Sequence, residues 1–312
     1  MSVVCFGELL IDFVALEHGV TVGDASGFRK APGGAPANVA VAVARLGHES
    51  AFIGQVGDDP FGHFLSDVLV AEGVDTAGLK FSQEARTALA FVSLTAEGER
   101  SFVFYRHPSA DMLMRADDVN LSVIQGKKIF HFGSITLINE PSRSATLMAA
   151  QRAHTDGLLI SYDPNLRLSL WPDAETARQG MLTGINYAHL VKISDEELDF
   201  LTGGQDVAPL WREQTQIIVV TRGSKGSEVY TRSQRYNVPG FSVPTVDTTG
   251  AGDGFVAGLL VGILENWGDH IQHLPQILRF ANAVGALATT QYGAIPALPV
   301  RVVVDNFIKG PG

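Results

Sequence analysis

The chain of 312 residues has one cysteine, Cys5, no stretch approaching 18 uninterrupted apolar residues, and no basic tract. A lone thiol cannot form an internal disulfide or a cysteine-rich metal site, so Cys5, inside the first apolar run, reads as a buried strand residue. Without a long apolar run, no membrane-spanning helix is expected. Lys and Arg total 23 against 33 Asp and Glu, a formal net charge of −10 that repels polyanions and argues against nucleic-acid partners. The first residues lack the basic segment of a secretory leader, their apolar run breaking at Gly7-Glu8, which predicts a cytoplasmic location. Two phosphate-binding signatures are missing as well. There is no Gly-x-x-x-x-Gly-Lys-Ser/Thr loop, and only Gly7 follows the first strand, so neither a P-loop nor a nicotinamide dehydrogenase fingerprint is present.

What is there is a globular composition, with 46% hydrophobic and 18% charged residues. The length suits one large α/β domain, and residues 1–312 are expected to form a single unit. Apolar runs at 3–6, 49–54, 128–132, 158–162, 190–193 and 217–221 alternate with helical spacing. That pattern predicts βα units and a mainly parallel sheet. Helices are expected over 37–46 and 62–72, each followed by the glycine, Gly47 or Gly73, that commonly ends a last turn. Two stretches break the alternation: 12–17 with 27–30, and 88–95 with 101–106 around a turn at 96–99. The second alternates apolar and polar residues as a half-exposed hairpin does. Together, segments 12–30 and 88–106 are expected to form a small β lid inserted in the core.

The strongest local signal is Asp247-Thr-Thr-Gly-Ala-Gly-Asp253, which runs into the apolar stretch 256–264. Glycines before a buried helix leave its first N–H groups open, at the positive end of the helix dipole, where a phosphate can approach closely. Gly250, Ala251 and Gly252 would then form an anion hole, and Asp253 would meet an acceptor hydroxyl beside a phosphoryl group and take its proton. On local grounds alone Asp253 could equally be a helix cap. A second glycine turn, Ala31-Pro-Gly-Gly-Ala-Pro-Ala-Asn38, also opens a helix. There Gly33 and Gly34 would let a polyol lie against the backbone and Asn38 would hydrogen-bond it, although an ordinary capped loop reads the same way. Asp12 follows the first strand, at the carboxyl edge where open α/β sheets bind ligands.

Taken together, Gly33-Gly-Ala-Pro-Ala-Asn38-Val-Ala with Ala44-Arg-Leu-Gly47, and Asp247-Thr-Thr-Gly-Ala-Gly-Asp253, resemble the two signature regions of the ribokinase/PfkB carbohydrate kinase family. Gly54-Gln-Val-Gly-Asp-Asp59, Tyr162-Asp-Pro-Asn-Leu-Arg167, Lys192-Ile-Ser-Asp-Glu-Glu197, Thr221-Arg-Gly-Ser-Lys-Gly226 and Gly293-Ala-Ile-Pro extend the resemblance over essentially the whole chain. The wording is closest to the fructokinase branch. This resemblance implies a three-layer α/β/α ribokinase-like fold, with a mostly parallel central sheet and a small β-sheet lid. It also implies ATP-dependent phosphorylation of a sugar hydroxyl, with fructose to fructose 6-phosphate as the expected reaction. Asp253 is the implied base, and Asp12, Gly33, Gly34, Asn38, Phe104, Arg106, Asp163, Asn165 and Arg167 the implied sugar pocket. Lys192, Glu197, Thr221, Gly223, Gly226, Gly250, Gly252 and Asn282 are implied for ATP and its Mg²⁺. A K⁺ ion would lie near Asp247, Thr249, Ala288, Gln291 and Gly293. Assembly as a homodimer is common in the family.

Three positions depart from the family pattern. Ser194 stands where an asparagine often precedes the glutamate, Ala35 where ribose-specific members carry lysine, and Gly254 where alanine usually follows the base. Ala35 makes ribose a poorer expectation than fructose. His107-Pro-Ser-Ala-Asp111 resembles aminoimidazole riboside kinases, so that riboside, a nucleoside or 2-keto-3-deoxygluconate stays open as substrate. A sugar or nucleotide sensor without turnover is the alternative of a different class.

Overall fold

The computed structural model describes residues 2–94 and 100–310, so the turn expected at 96–99 lies outside the described residues. The first half of the chain forms β1 (Ser2–Phe6), β2 (Leu10–His18), β3 (Phe28–Gly33), α1 (Ala35–Arg45), β4 (Glu49–Gly57), α2 (Pro60–Ala71), β5 (Asp75–Ser82), β6 (Leu89–Leu94), β7 (Arg100–Tyr105) and β8 (Ile129–Gly133). The second half forms α3 (Ser142–Thr155), β9 (Leu159–Asp163), α4 (Ala174–Ile185), β10 (Leu190–Ser194), α5 (Asp195–Thr202), β11 (Ile217–Thr221), β12 (Ser227–Tyr230), β13 (Arg235–Val238), α6 (Ala251–Glu265), α7 (Leu274–Leu287) and α8 (Arg301–Lys309).

Nine strands make one sheet in the order β13-β12-β11-β10-β9-β8-β1-β4-β5, parallel from β11 to β5, with β12 and β13 added as antiparallel strands. Both faces are covered, as a parallel sheet requires. Val3 and Cys5 of β1 belong to one core, built with α1, α2, α6, α7 and α8, while Val4 and Phe6 belong to the other, built with α3, α4 and α5. All six expected core strands are present. β5, β12 and β13 were not expected; β12 is a short buried strand of four residues, while β5 and β13 lie at the two edges of the sheet and mix exposed with buried positions. An edge strand needs few apolar side chains, which is why their sequences carried little signal. Among the described residues no helix is long and apolar enough to cross a membrane.

β2, β3, β6 and β7 form a second sheet in the order β3-β2-β6-β7. Its attachment explains the motif ending in Asp59. That carboxylate caps α2 by accepting from the amides of Phe61 at 3.0 Å and Gly62 at 2.9 Å, and it also accepts from Thr87 N at 2.8 Å just before β6. One side chain thus anchors the entry to the second sheet against the first. β1 lies between β4 and β8, so the chain runs outward in both directions from it, and β2 departs from its carboxyl end. A crevice opens at such a reversal point in open α/β sheets.

Candidate active site

A cavity of about 160 Å³ occupies that crevice. Glu8, Leu10 and Asp12 line it at alternate positions, as the two-residue period of extended chain dictates. Opposite them the chain turns at Gly34, whose φ of 110° suits glycine; a Cβ there would stand 2.4 Å from the carbonyl oxygen of Glu8. The turn aims the start of α1 at the cavity and brings in Asn38. Asn38 donates from Nδ2 to Asp253 Oδ2 at 2.7 Å, and its buried Oδ1 has no hydrogen-bond partner among the described residues. Phe104 of β7 lines the same cavity, so the second sheet supplies part of the wall.

Asp253 sits in the first turn of α6. Gly250 precedes that helix with φ 78°, and a Cβ on it would come within 3.0 Å of Ala294. Ala251 N folds back on the carbonyl of Thr248 at 3.3 Å, while none of the described residues accepts from the Gly250, Gly252 or Asp253 amides at the helix start. Although Asp253 is partly reachable through the cavity, the surrounding protein strips most of its hydration and raises its pKa to about 6. The bond from Asn38 works against that rise, Asp163 adds to it, and Arg167 and Lys192 oppose it.

Behind the loop, Lys192 in the middle of β10 is 7% exposed and donates from Nζ to Asp163 Oδ2 at 2.9 Å. Burial disfavours its charge, but Asp163, Glu197 and Asp253 together raise its pKa, so it is a firm cation. A Cβ on Gly252 would lie 3.5 Å from this ammonium, which places positive charge directly against the anion loop. Arg167 and Asn165 line the smaller cavity, Asn165 in the left-handed region at φ 45°. Asp163 accepts from Asn165 N at 3.2 Å and so shapes this turn.

A second cavity of about 460 Å³ lies across the loop and is lined by Thr221, Gly223, Gly226 and Asn282, all expected on the nucleotide side. The two cavities share Thr248 and Gly252. Sequence reasoning missed the 240–245 segment of the larger wall and the face of α7 that continues from Asn282 to Gly285, Ala286 and Thr289. The α7 residues were findable, since their spacing is that of one helical face. The 240–245 segment is irregular and carries no motif. In the smaller cavity Glu8 was missed; its signal was an acid set in an otherwise apolar run.

Of the residues expected for the sugar and ATP, Gly33, Arg106, Asp163, Lys192 and Glu197 line neither cavity. Arg106 is absent from the cavity walls; it is 4% exposed and its guanidinium pairs with buried Asp111, Nε at 3.2 Å from Oδ2. Glu197 also lies outside both walls. Oε1 accepts from Leu166 N at 2.7 Å and Oε2 from Ser194 N at 2.8 Å, while Ser194 Oγ accepts from Glu197 N at 3.1 Å. This capping box starts α5 and ties down the 163–167 turn. Ser194 and Glu197 thus read in the structure as structural partners. Around Asp247 the 246–249 and 288–293 segments meet. Its Oδ1 accepts from Thr249 N and Oγ1 at 3.0 and 2.7 Å, its Oδ2 accepts from Gly293 N at 2.9 Å, and the carbonyl of Thr289 accepts from Val246 and Asp247. Ala288 is buried at the end of α7, and Gln291 is exposed.

Comparison with known proteins matches this arrangement. Residues 1–301 fit the family described as pfkB family carbohydrate kinase. The chain is 52% identical to a probable fructokinase-4 of Arabidopsis thaliana over 99% of its length and 97% of the relative's. Among solved structures, fructokinase from Xylella fastidiosa with bound ATP superposes with a TM-score of 0.91 at 38% identity, covering 99% of this chain and 98% of that one. Fructokinase from Vibrio cholerae O395 with fructose, ADP and calcium ion bound superposes with a TM-score of 0.88 at 39% identity, covering 98% of each chain. The fold expected from the sequence is the fold observed, and the chain belongs to the pfkB family of carbohydrate kinases.

Proposed function

We infer that the protein transfers the γ-phosphate of ATP to fructose, giving fructose 6-phosphate. The observation that carries this reading is the junction of two cavities at Thr248 and Gly252, with Asp253 facing the smaller one. Relatives named fructokinases share half of the sequence over nearly the full length, and related structures hold ATP or fructose with ADP. Fructose takes the smaller cavity, where Asp12 and Asn38 Oδ1 accept its hydroxyl hydrogens and the Gly33–Gly34 turn lets the ring lie against the backbone. ATP takes the larger cavity with its phosphates toward Gly252. As the acceptor oxygen bonds to the γ-phosphorus, the bond to the β-phosphate oxygen breaks, ADP leaves, and the hydroxyl proton passes to Asp253. The Gly252 and Asp253 amides, the α6 dipole and Lys192 meet the charge that develops on the phosphoryl oxygens. A carboxylate with a pKa of about 6 is ionised at neutral pH yet more basic than an exposed aspartate.

Among the described residues no cluster of three or more His, Cys, Asp or Glu side chains could hold a metal ion. Asp163 is committed to Lys192 and Glu197 to two amides, so Mg²⁺ would be held by phosphate oxygens and water, a donor set that suits it. Held there, the ion would neutralise triphosphate charge. Asp247 and the carbonyls around 288–293 are the residues we assign to K⁺, which would add positive charge beside the anion loop. Working on ATP and a free sugar, the enzyme belongs in the cytoplasm. Leu16 and Tyr105 on the second sheet are exposed apolar side chains where two copies could pair.

Measuring ADP release with a panel of sugars, with K⁺ or Na⁺ present, tests the assignment. Fructose should have the highest kcat/KM, and K⁺ should raise the rate. Faster turnover of 2-keto-3-deoxygluconate or aminoimidazole riboside would replace the sugar and leave the phosphotransfer chemistry standing.

A further inference from the structure

The mechanism leaves two charged residues of the smaller cavity without a task, Arg167 and Glu8, and Glu8 is the more deeply buried. It is 2% exposed, and that small exposure opens on the cavity it lines. Its Oε1 accepts from Ala35 N at 2.9 Å, while its main-chain carbonyl packs under Gly34. Side chain and backbone of one residue therefore grip the turn that starts α1. Apart from Ala35 N and the residue's own amide, none of the described residues donates to this carboxylate. A largely buried carboxylate with so few donors gains when a ligand hydroxyl supplies another. The buried ion pair of Arg106 and Asp111 lies close enough to act on it, Arg106 favouring its charge and Asp111 opposing it. Arg106, expected in the sugar pocket itself, thus reaches that pocket through Glu8.

Resting on the reading of the smaller cavity as the sugar site, we propose that Glu8 is a specificity-determining residue. Through Oε1 it positions the Gly33–Ala35 turn, and through Oε2 it accepts a hydrogen bond from one hydroxyl of the bound sugar. Asp12 lies four residues on, and the two carboxylates take different hydroxyls. Burial, which pushes the Glu8 carboxyl up to about 7, agrees with a group that gains a donor only when substrate arrives. A pocket with two such acceptors selects a hydroxyl-rich sugar and rejects a deoxy analogue.

The test is a cycle of protein variants against single-deoxy fructose analogues, with ATP saturating. In the native protein at least one analogue should lose about tenfold or more in kcat/KM. In Glu8→Ala that same penalty should shrink below about threefold, with KM for fructose raised about tenfold and KM for ATP within twofold of native. Glu8→Gln keeps the side-chain length and the bond to Ala35, so it carries the test if the alanine variant fails to fold; there the penalty should shrink at least threefold. Penalties unchanged in the variants, or KM for ATP rising as much as KM for fructose, would overturn the proposal. If the native protein does not phosphorylate fructose at all, the substrate reading fails by itself, and the same cycle on deoxy forms of the accepted sugar still decides the role of Glu8.

Discussion

The two cavities meet at one loop but are built differently. None of the described residues lining the larger one is charged: its wall is glycine, alanine, serine and threonine, with Phe241, Val243, Phe255 and Asn282. The smaller one, about a third of the volume, presents Glu8, Asp12, Arg167 and Asp253. A nucleotide is large enough to be recognised by shape and by backbone donors, and its charge is met from behind the wall by Lys192 and the start of α6. A sugar offers little apolar surface, so its recognition has to come from directed hydrogen bonds. Truncating single side chains should therefore be mild on the nucleotide side and severe on the sugar side.

The largest effect is expected at the junction. Asp253→Asn should lower kcat by about 10³-fold or more while ATP affinity stays within a few-fold, measured by initial rates and calorimetry. Near-native turnover would show that Asp253 is no base. Asp12→Ala should come next, lowering kcat/KM for fructose about 10²-fold through two lost hydroxyl contacts, with KM for ATP little changed. Asn38→Ala should raise KM for fructose about tenfold and also move the acid limb of the rate profile. In the native protein kcat/KM should fall about tenfold per pH unit below about 6, because protonated Asp253 cannot accept the hydroxyl proton. The bond from Asn38 lowers the Asp253 pKa, so its loss should shift that limb to higher pH; a shift the other way would break the link between the two residues. The smallest effect is expected across the loop, where Asn282→Ala should raise KM for ATP only about three- to tenfold. A larger loss there than at Asp12 would reverse the contrast between the cavities.

Stability gives an independent check on Asp253. A carboxyl whose pKa is raised on folding binds protons more tightly in the native state, so its contribution weakens stability as pH rises from the ordinary aspartate value to about 6. Above that range Asp253→Asn should melt no lower than the native protein, despite its lost activity.

The central sheet was largely legible because its strands are buried on both faces, and their continuous apolar runs stand out between turn residues. β5 and β13 were not, since each needs only one buried face. In the site, the residues that were legible sit in glycine-marked turns: Gly34 and Gly250 adopt positive φ, and a Cβ on either would strike neighbouring atoms, so local geometry restricts these positions in a way a reader can see. Arg106 and Glu197, which the resemblance implied for sugar and ATP, line neither cavity. Whether a charged side chain faces a cavity or pairs behind it depends on partners such as Asp111 and Leu166 N, and no local rule names those.

The sequence by itself determined the alternating βα architecture, the two glycine turns that begin α1 and α6, and the chemical types of the reacting groups, because each follows from interactions among near neighbours in the chain. Only the tertiary structure decided that Asn38 and Asp253, 215 residues apart, share a hydrogen bond, that Lys192 stands against Gly252, and that Glu8 lines the smaller cavity. The reversal of strand order at β1 produces these encounters: it brings the segments that follow β1, β8 and β9 and the starts of α1 and α6 to one crevice, and such proximity is a property of the packed layers.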